Sequence, residues 1–358
     1  MSDFSIKSVR VRKLDVPMRK TFGIAGGVQT MVANALVAIE LESGVTGYGE
    51  AAPLPAFDGE TQEVAVAALE RAAPVLLGMD VRQWRNVAAH IGDAAGASPS
   101  AVNALESAMF DALTRRLGVA LHHFFGGRET SLDTDVTITT GTVEEAALNA
   151  IEFAEFATLK IKVGGSSVDH DVARTLAVCK KRPDARIFLD ANASLAPDEA
   201  LALVSELRRH DVVPVLFEQP VAKGDPAALG DLRARLGVPI AVDESVRTAA
   251  DLLAVHRHEG ADIVNVKLMK AGIVAALDVV AMARACGIGL MIGGMVESRL
   301  AMGTSACFAA GLGGFSFVDL DTPLFLAKDP FEGGYTQRGA RLDLVPITQG
   351  HGCVPHDA

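Results

Sequence analysis

Residues 158–163 read TLKIKV, residues 186–190 RIFLD, residues 213–218 VPVLFE, residues 240–243 IAVD and residues 263–267 IVNVK. Each is a short apolar run rich in β-branched residues, with a charged residue at or beside its C-terminal end. Ala/Leu-rich helical stretches such as Ser167 to Lys181 and Pro197 to His210 lie between them. Strands separated by helix-length crossovers pair in parallel. Three more runs, Thr134 to Thr139, Gly289 to Ile292 and Phe315 to Asp319, bring the number of strands to eight. Eight strand–helix units predict an α/β protein of the modified (β/α)8, TIM-type class, with helices between successive strands in a (β/α)7β arrangement. An open doubly wound sheet is the alternative, but no G-x-G-x-x-G follows the first strand.

The charged residues fall in register with this frame. Lys162, Asp190, Glu218, Asp243 and Lys267 each end a strand, at successive gaps of 28, 28, 25 and 24 residues. One unit of a barrel that runs to roughly 250 residues takes about that length. All C-terminal strand ends of a parallel barrel face one mouth, so five charged groups converge there. Chance places one or two such residues, not five.

Working outward, residues 1–125 read as an α+β capping domain. Ile6 to Val16, Thr30 to Glu42 and Thr46 to Glu50 read as strands, and Gln62 to Leu77, Val81 to Ala94 and Ser98 to Leu117 as helices, with Gly118 as a C-cap. The barrel is expected over residues 126–325, and a Gly-rich tail over 326–358 returns to the cap. Composition fits a folded two-part chain, with 49% hydrophobic and 22% charged residues. A net charge of −11 without a basic cluster excludes a nucleic-acid footprint. The most apolar stretch, Ala275 to Met295, carries Asp278, Arg284 and glycines and does not read as a membrane span. Cys179, Cys286, Cys307 and Cys353 show no paired spacing. Reduced thiols and a cytoplasmic location are expected.

Asp190, Glu218 and Asp243 come from adjacent strands. Three carboxylates gathered at low dielectric repel unless a cation joins them. All are hard oxygen donors and no His or Cys stands at an equivalent strand end, which favours Mg2+ over Zn2+. Asn192 and Glu244 are candidate supporting partners. Lys160 and Lys162 point to one face of their strand. Burying two inward lysines is costly. Side by side near a metal they are expected to depress each other's pKa and leave one able to act as a base. Lys267 lies across the barrel mouth, so Lys162 and Lys267 flank a substrate carbon from two sides. Lys270 reads as a helix-start residue. Residues 293–298, GGMVES, form a loop in which backbone approaches a ligand. Asp319 and Asp321 both reach the mouth and suit a cationic substrate group such as an α-ammonium.

This array resembles the enolase superfamily in its muconate-lactonizing-enzyme-like branch. The resemblance rests on Lys160 and Lys162, Asp190 in LDAN (189–192), Glu218 in FEQP (217–220), Asp243 in DES (243–245) and Lys267 in NVK (265–267). Within the branch, Asp319-x-Asp321 resembles the feature that marks dipeptide epimerases, where the pair holds the free ammonium of the substrate. The resemblance implies one Mg2+ per subunit on Asp190, Glu218 and Asp243, meeting the carboxylate of a small dipeptide. It implies that Lys162 or Lys267 removes the α-proton of the C-terminal residue and the other returns a proton to the opposite face. The enediolate between these steps is stabilised by the metal and Lys160. A homo-oligomer is implied by the same analogy.

Specificity in the branch comes from the cap loops and the loop after the seventh strand. Here these offer Phe22, Gly23, Ile24 and Ala25, then Phe57 and Asp58, then Val296 and Ser298. Relatives acting on L-Ala-D/L-Glu place a basic residue in the first cap loop, and residues 25–27, AGG, carry none. Relatives acting on cationic dipeptides place an acid where Val296 stands. Ile24, Phe57 and Val296 therefore favour hydrophobic or aromatic dipeptides, with L-Ala-D/L-Glu epimerase as the alternative substrate reading. N-acylamino-acid racemase, o-succinylbenzoate synthase and muconate cycloisomerase chemistries remain alternatives of the branch, as does a non-catalytic binding barrel. A sugar-acid dehydratase is disfavoured, since no His ends the seventh strand.

Overall fold

The computed structural model describes residues 2–24 and 27–357, without the side chains of residues 20–22, 24, 28 and 29. Strands β1 (Ile6–Ile24), β2 (Gly27–Leu41) and β3 (Thr46–Ala51) form an antiparallel sheet in that order. The first two strands extend beyond the expected bounds at Val16 and Thr30. Phe22 pairs with Gln29, Gly23 with Val28 and Ile24 with Gly27, past an irregularity between Pro17 and Phe22. Pro17, Arg19 and Lys20 break the apolar alternation, so the sequence signal stops while backbone pairing continues. The expected first cap loop is therefore the end of a hairpin. Ala25, Gly26 and the Ile24 side chain lie outside the described residues.

Helices α1 (Pro55–Asp58), α2 (Gln62–Ala72), α3 (Trp84–Ala95), α4 (Pro99–Leu117) and α5 (Leu121–Phe124) follow. The helix expected to run from Gln62 to Leu77 tightens to a 3-10 turn over Ala73–Leu76, because Pro74 cannot donate a backbone hydrogen bond. Gly118 ends α4 in the left-handed conformation, φ 67°, as a C-cap should. α4 lies directly on β3. Gly47 and Gly49 face the α4 backbone at Ala104, Ala108 and Ala112 so closely that a Cβ at either would collide with it.

After a short β4 (Ser131–Asp133) come the barrel strands β5 (Val136–Ile138), β6 (Thr158–Lys162), β7 (Arg186–Asp190), β8 (Leu216–Glu218), β9 (Ile240–Val242), β10 (Ile263–Val266), β11 (Gly289–Ile292) and β12 (Phe315–Val318). Between them lie α6 (Val143–Glu152), α7 (Val168–Lys181), α8 (Pro197–Arg209), α9 (Pro226–Leu236), α10 (Ala249–Arg257), α11 (Ile273–Cys286) and α12 (Arg299–Leu312). The eight strands are parallel and neighbours in space follow chain order. β8 starts at Leu216 rather than Val213, since Pro214 offers no ladder donor. The sheet curls until its two ends meet. Asp135 N donates to Val318 O at 2.8 Å, and Leu320 N donates to Thr134 Oγ1 at 2.9 Å.

The remaining strands are β13 (Phe331–Gly333), β14 (Thr336–Arg338), β15 (Arg341–Asp343) and β16 (Cys353–Pro355). β15 pairs with β4. Arg115 of α4 donates to Cys353 O at 2.7 Å, and His351 Nε2 lies 3.0 Å from Tyr48 O. The four cysteines are free thiols. No helix among the described residues is long and apolar enough to cross a membrane.

Candidate active site

The strand ends gather charged residues at a cavity of about 730 Å3, whose lining includes Lys162, Lys267 and Asp319 but not the buried Asp190, Glu218 and Asp243. Lys162, Asp190 and Glu218 are the last residues of β6, β7 and β8, and Asp243, Lys267 and Asp319 stand one residue beyond β9, β10 and β12. Lys160, Lys162, Lys267, Asp319, Asp321, Asn192 and Glu244 line the cavity, with Phe57 and Val296 from its apolar side. β6 and β10 are four places apart in the eight-strand order, so Lys162 and Lys267 reach the cavity from opposite walls.

Asp190, Glu218 and Asp243 are fully buried, on neighbouring strands with Asp190 in register with Glu218. Lys160 Nζ sits among carboxylates, 2.9 Å from Asp190 Oδ2, 2.7 Å from Glu218 Oε2 and 2.6 Å from Asp319 Oδ2. Lys162 Nζ is 2.5 Å from Asp190 Oδ2 and 3.1 Å from Asn192 Oδ1. Lys267 Nζ is 2.6 Å from Asp243 Oδ2. Glu218 Oε2 and Asp243 Oδ2 have these cations close by, yet neither accepts a hydrogen bond of good geometry. Buried oxygens left in that state suit a hard cation, as do three carboxylates with no nitrogen or sulfur donor among them.

The electrostatics follow from the crowd of acids around these lysines. Burial works against the Lys160 and Lys267 ammoniums, but the carboxylates around them win, and both are raised above the usual lysine value. The dominant neighbours are Asp190 for Lys160 and Asp243 for Lys267. Acids outnumber lysines here, and their charge outweighs the burial of both ammoniums. The acids divide accordingly. Although burial opposes it, the lysines hold Asp190 below its usual value and Asp243 down to about 2. Burial pushes Glu218 up to about 7 and Glu244 up to about 8.

Local backbone supports this placement. Asn192, Ala193 and Gln219 hold φ of 45°, 63° and 32° directly after β7 and β8. Left-handed non-glycine residues cost energy and collect where a site needs them. Gln219 repays part of that cost by stitching β8 to β9. Its Oε1 accepts from Asp243 N at 3.0 Å and Ser245 N at 3.2 Å, and its Nε2 donates to Val221 O and Ser245 Oγ. Asn192 N donates to Asp190 Oδ1 at 2.9 Å, and its Nδ2 reaches Glu244 at 3.4 Å.

Phe57 roofs the cavity. Lys267 Nζ stands 5.7 Å from its ring centroid on one side, and the Arg247 guanidinium stands 5.6 Å away. Arg247 also pairs with Asp58 at 3.0 Å, tying α1 to the loop after β9. Val296 is buried on the wall and its carbonyl accepts from Asn34 at 3.0 Å. Ser298 does not face the cavity. It caps α12 by accepting from Leu300 N at 3.2 Å and donates to the buried Glu50. A serine opening a helix is drawn to the unpaired backbone N–H groups there, which the loop reading overlooked.

Four participants escaped the sequence reading. Lys270 is not a solvated helix-start residue: it is buried, 3.1 Å from Asp243 Oδ1 and 2.7 Å from Asn265 O. Asn265 itself donates to Glu218 Oε1 at 2.6 Å. Thr137 N donates to Asp321 Oδ2 at 2.6 Å. Asp135 lies beneath Asp319 and Asp321; among the described residues, these three form the one carboxylate trio in which one oxygen from each lies within 4.8 Å of the others. Lys270 carries no strand-end spacing that would mark it. Nothing in the sequence singles out the others.

Residues 142–358 match the enolase C-terminal domain-like family. Residues 6–126 match the mandelate racemase / muconate lactonizing enzyme N-terminal domain. The chain is 44% identical to an aromatic dipeptide epimerase of Herpetosiphon aurantiacus, over 97% of this chain and 98% of that one. Its structure is similar to a mandelate racemase/muconate lactonizing enzyme of Roseiflexus sp., with TM-score 0.94 and 49% identity over 99% of both chains. It is also similar to a dipeptide epimerase of Enterococcus faecalis complexed with Mg and the dipeptide L-Leu-L-Tyr, with TM-score 0.94 and 30% identity over 98% of this chain and 100% of that one. With both halves matched and the buried acids and lysines gathered at one barrel mouth, the chain belongs to the mandelate racemase / muconate lactonizing enzyme family of the enolase superfamily.

Proposed function

We propose that the protein is a Mg2+-dependent dipeptide epimerase that inverts the α-carbon of the C-terminal residue by 1,1-proton transfer between Lys162 and Lys267. The observation that carries this reading is the pair of buried amines reaching one cavity from opposite walls, with an acid pair, Asp319 and Asp321, on the same wall lining. One amine removes the α-proton and the other, as an ammonium, returns one to the opposite face. Lys160 meets the substrate carboxylate side and donates to the oxygen on which charge accumulates. Asp319 and Asp321 receive the free ammonium of the dipeptide. Asp190, Glu218 and Asp243 hold the cation. A divalent ion held there would supply Lewis-acid stabilisation of charge on the substrate carboxylate.

Phe57 and Val296 give the cavity an apolar roof and wall, which supports hydrophobic or aromatic dipeptides as substrates. A panel of dipeptides followed by α-proton exchange in D2O tests this. Exchange with aromatic and aliphatic C-terminal residues is the expected result, and a strong preference for acidic ones overturns the substrate assignment. Lys223 favours that second reading, since it is an exposed cation on the same cavity wall. Loss of exchange with alanyl-glutamate alone in Lys223→Ala would support it.

A further inference from the structure

Asp135 is 3% exposed, and neither of its carboxylate oxygens meets a donor. Its backbone is pinned at the barrel seam, where Asp135 N donates to Val318 O. It does not line the main cavity, whereas Asp319 and Asp321 do. Asp135 therefore touches that pair from behind, within 4.8 Å of a ligand oxygen on each. The groups facing it are Asp319 and Asp321 beyond β12 and Lys160 on β6. Asp135 lines instead a second cavity of about 380 Å3, together with Glu129, Asp133 and Arg186.

The front pair already has partners. Asp319 Oδ2 takes Lys160 at 2.6 Å, and Asp321 Oδ2 takes Thr137 N at 2.6 Å. Three ionised carboxylates around one ammonium would leave two uncompensated charges in a buried space, which neighbouring acids avoid by sharing a proton. We propose that Asp135 is a positioning residue of the ammonium subsite, a neutral carboxyl that donates a hydrogen bond to Asp319 and so holds Asp319 charged and aligned with Asp321 for a substrate ammonium. Burial, then the charge of Asp319, push the Asp135 carboxyl well above its ordinary value, in keeping with this arrangement.

The subsite role rests on the dipeptide reading; the protonation does not. Asp135→Leu removes the donor and should raise KM for a dipeptide roughly tenfold to a hundredfold with kcat little changed. Asp135→Asn retains an N–H donor and should recover most of that loss. At neutral pH, an infrared difference spectrum between the wild-type protein and Asp135→Asn should show a protonated carboxylic acid band that the variant lacks. An unaltered KM in Asp135→Leu, an Asn variant as impaired as the Leu variant, or no lost acid band would each overturn the proposal. If Asp135→Leu does not fold, the Asn kinetics and the infrared band still decide it. If the wild-type protein exchanges no dipeptide proton, the functional reading fails while the band still reports on Asp135.

Discussion

The proposed mechanism assigns each of the two flanking lysines one face of the substrate. With Lys162 on β6 and Lys267 beyond β10, replacing one should remove exchange from one enantiomer and leave a residual exchange from the other. Loss of a positioned acid–base group lowers the rate by roughly 10²–10⁴-fold. Lys162→Met and Lys267→Met should therefore each fall by about that factor in epimerisation. Each should retain α-proton exchange with the enantiomer whose proton faces the surviving amine, measured by NMR in D2O. Equal loss with both enantiomers in both variants would contradict a two-sided arrangement. These lysines were legible from strand-end spacing alone. Lys270 was not, because its burial depends on a 3-10 turn, Leu268–Lys270, that folds it back onto Asp243.

At the scale of elements, the cap holds the roof of the cavity through tight contacts with few alternatives. α4 rests on β3 through Gly47 and Gly49. Gly49→Ala should force helix and sheet apart and cost about 1–3 kcal/mol, the usual range for overpacking. The measurement is a denaturant midpoint, expected to fall without a change of slope. The Glu50 carboxylate joins the same strand to the barrel, taking Asn34 Nδ2 at 2.6 Å and Ser298 N at 3.1 Å. β1 to β3, the eight barrel strands and the long helices were readable from periodicity and from Pro and Gly, whereas β4 and the tail strands β13 to β16 were not. The hairpin end near Ile24 was not, since paired backbone needs no side-chain pattern.

For the whole molecule, the decisive quantity is charge gathered at the barrel mouth. Asp135, Asp190, Glu218, Asp243, Glu244, Asp319 and Asp321 are buried beside only Lys160, Lys162, Lys267 and Lys270, an excess of three acids. Protons relieve this excess: burial lifts Glu218 and Asp321 to about 7 and Glu244 to about 8. Mg2+ should therefore release protons on binding at pH 7, seen in a weakly buffered titration. It should also stabilise the fold by about 2.7 kcal/mol at a hundredfold excess over Kd. Asp190→Asn should lose both effects. A separate pH dependence comes from Glu297, which burial pushes up to about 8 from an ordinary 4.5. Between those values the unfolded chain binds fewer protons than the folded one, so stability falls as pH rises. Glu297→Gln should flatten that decline in thermal melts from pH 4.5 to 8. The sequence by itself determined the strand–helix rhythm and which charged residues end the strands, because period and spacing are local properties of the chain. Only the tertiary structure decided which acids crowd together, that carboxylates raise Lys160 and Lys267, and that Asp135 backs Asp319 and Asp321. Those outcomes depend on distances and burial between residues far apart in sequence.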